Sequence, residues 1–86
     1  MLHELNDRIE VIALFAEGSV QPLRIRWRER VYKIQHIYST WQYRQGSTRE
    51  IHITAGTEAA QTMELVLTID GAVLSWWLKR LGTSRY

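Results

Sequence analysis

Arginine occupies every even position from 24 to 30 in the segment RIRWRERVYKI, residues 24–34. Arg24, Arg26 and Arg28 would share one face of a β-strand, about 6.6–6.8 Å apart, because side chains alternate between its two faces. This spacing is close to that of phosphates along an extended single strand, and a guanidinium binds phosphate through two parallel hydrogen bonds. The pattern indicates a phosphate-binding strand. The structural alternative is a solvated outer face that discourages aggregation through the sheet edge.

The same segment predicts a β-hairpin with a two-residue turn at residues 29–30. In this register apolar residues face one another, and Trp27 pairs with Tyr32. Lys33 then lies opposite Arg26 as a fourth cation. Like charges directly opposite each other destabilise a hairpin, so the crowding favours a polyanionic or acidic partner. A three-residue turn stays open as an alternative, because a type I′ turn requires positive φ at both central residues.

Charge is distributed unevenly along the chain. Residues 24–49 carry a net charge of +6, although the whole chain carries only +2. Residues 1–17 carry a net charge of −3. The basic segment suits a nucleic acid or an acidic protein. The acidic segment could also pair with it, within one chain or between chains.

Aromatic side chains are the second group with binding potential, since the chain has four tryptophans and four tyrosines. Four of these eight are predicted to lie in the core: Trp27, Tyr32, Trp41 and Trp76. Trp77 is predicted to point outward beside Lys79. There it could stack on a base or a sugar, or be covered by the N-terminal segment or by a second subunit.

Catalytic and metal-binding motifs are not evident. The chain has no cysteine, which excludes disulfides and thiolate sites. His3, His36 and His52 lack the spacing of metal ligands, and the latter two are expected at polar surface positions. There is no nucleophile elbow, glycine-rich phosphate loop or paired-carboxylate motif. We therefore expect a non-enzymatic binding module without a metal or cofactor.

The composition is that of one globular domain, residues 1–86, with 45% hydrophobic and 23% charged residues. The first residues lack the pattern of a signal peptide. No apolar run reaches the ~18 residues of a membrane span. We expect a cytoplasmic domain with no membrane partner.

The remaining pattern predicts about six antiparallel strands. The first runs from about Ile9 to Ala16, and an apolar spacing of three and four before it leaves a short N-terminal helix open. A step of three between Ile34 and Ile37 predicts a β-bulge near residues 35–36. Turns or loops are predicted at three further segments: residues 18–22, 45–48 and 55–61.

The last hairpin is predicted around Asp70–Gly71, because Asp-Gly is a strong signal for a hairpin turn. Apolar residues then face one another in four pairs: Ile69 with Ala72, Leu67 with Leu74, Leu65 with Trp76, and Met63 with Leu78. This apolar face must be covered. We therefore predict an all-β fold whose strands curl into a small open barrel or pack as a sandwich.

The segment PLRIRWRERVYKIQHIYSTW, residues 22–41, resembles a family of small uncharacterised bacterial domains. The shared pattern is an arginine-rich strand, a turn flanked by Trp-Arg and Arg-Tyr, spaced aliphatic residues and a tryptophan. Its positions in this chain are Trp27, Arg28, Arg30, Tyr32, Ile34, Ile37 and Trp41. The closing hairpin is similar in outline, and many members have glycine where this chain has Glu29. Members are often encoded beside, or fused to, Y-family-like polymerases of mutagenic repair, which implies a DNA-repair accessory.

Two functions follow from these patterns. In the first, the chain binds single- or double-stranded nucleic acid through five residues: Arg24, Arg26, Arg28, Lys33 and Trp77. In the second, it is a self-associating protein-interaction module or binds an acidic protein, with an apolar patch of Trp77, Val66 and Val73. Acidic residues of the N-terminal segment lying over the arginines would weaken the first hypothesis. Trp77 at a subunit contact would favour the second.

Overall fold

The computed structural model describes residues 2–83, which form six antiparallel β-strands closed into a small barrel. The strands are β1 (Leu2–Ala16), β2 (Ser19–Trp27), β3 (Arg30–Gln45), β4 (Thr48–Thr57), β5 (Gln61–Asp70) and β6 (Val73–Thr83). Each strand pairs with its neighbour in the sequence, and β1 also pairs with β6. The prediction of six antiparallel strands is confirmed, whereas the predicted open barrel is wrong.

The N-terminal helix left open by the sequence is also wrong, because β1 begins at Leu2. Leu5 and Ile9 both pack in or against the core. Their separation of four residues suits one face of a helix and equally one face of a strand. Pairing with β6 satisfies the backbone of this segment and so favours the strand.

The strands form two sheets that share β1 and β3. The first half of β1 pairs with β6, and its second half, from Glu10 onward, pairs with β2. β2 pairs with β3 only through Arg24–Trp27 and Arg30–Lys33. From Ile34 onward β3 pairs with β4. The β1–β2 hairpin therefore covers the inner face of the larger sheet.

The core consists of side chains that alternate along the strands and point into the barrel. Its buried members are Ile9, Ile25, Tyr32, Ile51, Ile53, Ala55, Met63, Leu65, Leu67 and Leu78. Trp27 and Trp76 pack against them as partly buried residues, so their predicted core positions are confirmed. The core prediction for Trp41 is wrong, because this side chain is 52% exposed.

Two bulges in β3 explain the position of Trp41. The register with β4 shifts at Gln35, where the sequence predicted a bulge, and again at Tyr38, where it did not. Ile37 lies opposite the buried Ala55 and faces inward. Without the second bulge Trp41 would face inward too, but one extra residue reverses the faces that follow it.

The β2–β3 turn consists of Arg28 and Glu29 rather than residues 29–30. Both have positive φ, 52° and 65°, as a type I′ turn requires. Moving a two-residue turn by one position shifts every cross-strand pair by two residues, so partners change while the inward face is kept. Ile25 therefore pairs with Tyr32.

The β5–β6 hairpin differs from its prediction in the same way. Its turn is formed by Gly71 and Ala72, and Gly71 has a φ of 61°. Leu67 consequently pairs with Trp76 rather than with Leu74. The apolar face again points inward as predicted.

Two predicted loops are shorter than expected. β2 begins at Ser19, so most of residues 18–22 belong to a strand. β4 continues to Thr57 and β5 begins at Gln61, which leaves a short turn where residues 55–61 were predicted as a loop. Cross-strand pairing satisfies the backbone of these small and polar residues and overrides their turn preference.

Candidate nucleic-acid interface

Two of the three arginines on which the nucleic-acid hypothesis rests form ion pairs with β1. Arg26 Nε lies 2.6 Å from Glu10 Oε1. Arg28 lies 3.4 Å from the carboxylate of Asp7, which also accepts a hydrogen bond from Trp27 Nε1 at 2.8 Å. The acidic N-terminal segment therefore neutralises one end of the arginine series within the chain. This is the arrangement expected to weaken binding of nucleic acid at those two residues.

The other end of the series carries two cations without a carboxylate partner. Arg24 on β2 lies directly opposite Lys33 on β3; the predicted partner of Lys33, Arg26, instead lies opposite Val31. Both side chains are exposed, and neither forms an ion pair with any of the side chains described, those of residues 4–82. Opposed like charges destabilise a strand pair, so this pair is suited to an anionic ligand.

An exposed aromatic stripe continues along the outer face of β3 from this pair. Its members Tyr38, Trp41 and Tyr43 are 50%, 52% and 49% exposed. The second bulge places Tyr38 over Gly56, where an added Cβ would lie only 2.7 Å from the Tyr38 hydroxyl oxygen. Trp41 and Tyr43 are two residues apart and share the outer face. We call these three residues the β3 stripe.

Trp41 is held by stacking on β4. His52 lies directly opposite it, and the two ring centroids are 3.9 Å apart with an interplanar angle of 11°. His52 Nε2 lies 2.9 Å from Glu50 Oε1, which orients the imidazole. The predicted surface position of His52 is thus on the outer face but partly covered. One face of the indole rests on His52, and the other can stack on a base.

Trp77 lies on the outer face as predicted, but away from the β3 stripe. A row of directly paired residues crosses five strands: Trp41, His52, Val66, Trp77 and Arg8. Trp77 is therefore three strand spacings, about 14 Å, from Trp41. It is partly buried, and the cationic groups of Arg8 and Lys79 lie 5.2 and 5.8 Å from its ring centroid. Val66 is fully buried, so it cannot belong to an exposed apolar patch.

The structure thus separates the five predicted binding residues into two groups. Arg24 and Lys33 lie at one end of the β3 stripe. Arg26 and Arg28 lie beside β1, where Glu10 and Asp7 neutralise them, and Trp77 lies on the far side of β1 from them.

Sequence reasoning missed Tyr38 and Trp41 as exposed binding candidates, and it ranked Tyr43, near a loop, below Trp77. A signal was present in the segment YSTWQYRQ, residues 38–45. Polar residues occupy both sets of alternate positions in it, so neither face is continuously apolar. Such a segment does not suit a strand that packs against the core.

Other kinds of site receive no support from the described part of the chain. Among the side chains of residues 4–82 no three of His, Asp and Glu are grouped so that they could hold a metal ion. No helix that is long and apolar enough to cross a membrane occurs in that range.

Comparison with known proteins leaves the family open. No protein-family model, curated protein or solved structure matches the chain. The resemblance to repair-associated bacterial domains therefore stays a prediction.

Proposed function

We propose that this protein is a non-enzymatic module that binds single-stranded nucleic acid along the outer face of β3. The observation that carries the proposal is the continuity of the Arg24–Lys33 pair with the β3 stripe on one face. Phosphates would bind the two cations, and unpaired bases would stack on the exposed rings. A duplex offers no free base faces to these rings, so the site favours single strands.

The dimensions of this surface suit a short oligonucleotide. Ten residues separate Lys33 from Tyr43, which corresponds to about 30 Å of strand. Single-strand sites on small barrels cover roughly 4–16 nucleotides, and each base stacked on an aromatic ring contributes about 1–3 kcal/mol. The surface can therefore support binding with weak sequence preference.

The neutralised arginines have a secondary role in this proposal. The side chains of Arg26 and Glu10 are 61% and 71% exposed. Exposed ion pairs of this kind contribute at most about 1 kcal/mol, so a phosphate can replace the carboxylate at low cost. Arg26 and Arg28 would then extend the binding surface once a strand is bound. The DNA-repair setting and the cytoplasmic location belong to the same proposal.

Fluorescence anisotropy of a labelled single-stranded decanucleotide, at about 50 and 200 mM salt, tests the proposal. Contacts of phosphate with Arg24 and Lys33 alone predict that log K falls against log[salt] with a slope of about −1.4, and the further contacts of Arg26 and Arg28 steepen it to about −2.8. The double variant Arg24→Glu/Lys33→Glu should lose at least tenfold in affinity at the lower salt. The matched control is Lys79→Glu/Arg80→Glu on β6, which changes the net charge equally and should change affinity less than threefold.

Equal losses in both double variants would show that binding follows net charge rather than this surface, and would contradict the proposal. Absence of binding by the parent protein at 50 mM salt would reject it.

A further inference from the structure

The side of β3 that faces away from β4 is unpaired over most of its length. β2 leaves β3 after the Arg24–Lys33 pair, and within residues 2–83 no other strand pairs with that side. Every residue between Gln35 and Ser47 is exposed, including those that point inward. An unpaired row of backbone N–H and C=O groups is a template for another strand. We call the unpaired side of residues 34–45 the β3 edge.

The side chains around the β3 edge are basic. β3 contains Arg30, Lys33 and Arg44 but neither Asp nor Glu. Arg44 lies directly opposite Arg49 on β4, which is a second pair of opposed cations without a carboxylate partner among the described residues. Such a pair is unfavourable unless an anion lies between or beside the two guanidinium groups.

The chain itself provides hydrogen-bond acceptors for only part of the Arg49 guanidinium group. Its Nη2 donates a hydrogen bond of 3.3 Å to Gln42 Oε1. Its Nε is buried and has no hydrogen-bond partner within residues 2–83. Burying a charged donor without a partner is costly, so this atom is a candidate donor to a ligand carboxylate.

An apolar groove adjoins Arg49. It has a volume of about 360 Å³ and lies between the β1–β2 turn and the inner faces of β4 and β5. Phe15, Val20 and Ile69 line it together with Glu17, and Phe15 is 56% exposed. Because Glu17 would repel a carboxylate, the groove suits an apolar side chain of the ligand. A ligand that reaches Arg49 along the β3 edge would meet this groove next.

We propose that the β3 edge binds an extended acidic segment of another protein by strand addition. The backbone of the segment pairs with β3, its carboxylates bind Arg44 and Arg49, and an apolar side chain near one end occupies the groove beside Phe15. A second copy of β3 is a poor occupant, because this strand would bring only basic charges to a basic edge.

Strand addition and nucleic-acid binding use different atoms of β3. The peptide takes the backbone edge and the inward-facing Arg44, whereas nucleic acid takes the outward-facing rings. The proposal therefore stands independently of the function proposed above.

The probe is a ten-residue peptide of alternating Glu and Val, acetylated and labelled with fluorescein, and its control replaces Glu with Lys. We expect the Glu peptide to bind at least tenfold more tightly than the Lys peptide. The variant Arg44→Glu/Arg49→Glu should reverse this preference. By amide hydrogen exchange, the Glu peptide should protect alternate amides within residues 34–45, because alternate N–H groups point toward the edge.

Proline substitutions provide a second test that does not depend on charge. Neighbouring residues of a strand direct their N–H groups to opposite sides, so only one of Ser39 and Thr40 donates toward β4. Of Ser39→Pro and Thr40→Pro, one variant should retain the parental unfolding temperature and lose peptide binding at least tenfold. The other should unfold at a lower temperature.

Three results would overturn the proposal. Equal binding of the Glu and Lys peptides would show that the β3 edge does not select acidic segments. Unchanged hydrogen exchange of the β3 amides would exclude strand addition. Protection that rises with protein concentration in the absence of peptide would show a second copy on the edge. The variant Trp41→Ala removes an outward-facing ring of the β3 stripe and no charge, so it should still bind the Glu peptide within threefold of the parent. Failure of nucleic-acid binding and failure of this proposal are therefore distinguishable.

Discussion

At the scale of single residues, ion pairing decides which cations remain available. Arg24, Arg26 and Arg28 are regularly spaced in the sequence and appear equivalent there. In the fold, Arg26 and Arg28 lie beside carboxylates of β1, whereas Arg24 lies opposite a cation of β3. Glu10 binds Arg26, and Arg24 has only Lys33 opposite it. The binding surface is therefore displaced toward the end of the series that lacks carboxylates.

Of the two acidic residues of β1 that pair with arginines, Asp7 should contribute more to the stability of the fold than Glu10. Replacing it in Asp7→Ala leaves the partly buried Trp27 Nε1 without its acceptor, which should destabilise the fold by about 1–3 kcal/mol. Glu10→Ala removes only an exposed ion pair and should cost less than about 1 kcal/mol. Urea unfolding followed by tryptophan fluorescence measures both. Equal costs would show that the Trp27 hydrogen bond contributes nothing measurable.

At the scale of elements, the apolar pattern determines which face of a hairpin points inward, but the position of the turn determines which residues pair across it. The two hairpins with a predicted two-residue turn, β2–β3 and β5–β6, keep their predicted inward faces, but their turns lie one residue from the predicted positions. When each cross-strand partner moves by two residues, the same apolar side chains still point inward. The apolar pattern is therefore equally consistent with both registers. The choice depends on which residues accept positive φ, and Arg28 and Glu29 do so without glycine.

Glycine at the second of these turn positions should stabilise the protein. Glu29 has a φ of 65°, a left-handed conformation that costs a non-glycine residue about 1–2 kcal/mol. Glu29→Gly should raise the free energy of unfolding by about 1 kcal/mol, because the relief exceeds the added flexibility of the unfolded chain.

The control for this prediction is Glu58→Gly, in a turn where the residue does not have positive φ. There glycine only increases the entropy of the unfolded chain, so stability should fall. Thermal and urea unfolding of the two variants should therefore change in opposite directions. Destabilisation by Glu29→Gly would contradict the account of the turn.

The second bulge of β3 shows a further limit of sequence reasoning. The step between Ile34 and Ile37 indicated the first bulge, because both residues are apolar and one face of the strand is buried. No odd spacing of apolar residues marks the second bulge at Tyr38, because residues 39–45 of the strand are exposed and have no apolar inward face. Tyr38 is accommodated there by Gly56, a contact between strands that a local pattern does not reveal.

At the scale of the whole molecule, the charge asymmetry of the sequence is largely resolved by the topology. The barrel places β1 between β6 and β2. The acidic N-terminal segment therefore meets Arg26 of β2, Arg28 of the β2–β3 turn and Arg80 of β6. The excess positive charge then collects on β3. The six strands, the inward faces and the basic character of this region could be predicted from the sequence. The unpaired edge could not, because it depends on where β2 diverges from β3.

We propose that the outer face of β3 binds nucleic acid, and two tryptophan variants test this claim. Trp41 and Trp77 lie on one outer row of the barrel, but only Trp41 belongs to the β3 stripe. At about 50 mM salt, the affinity of each variant for a single-stranded decanucleotide is compared with that of the parent. Circular dichroism confirms that both are folded.

We expect Trp41→Ala to lose about 1–3 kcal/mol of binding free energy, roughly 5- to 150-fold in affinity. Trp77→Ala should change affinity less than twofold, because its ring lies three strands away beside Arg8 and Lys79. A larger loss in Trp77→Ala than in Trp41→Ala would place the surface on β6 and contradict the claim. Parental affinity in Trp41→Ala would contradict it equally.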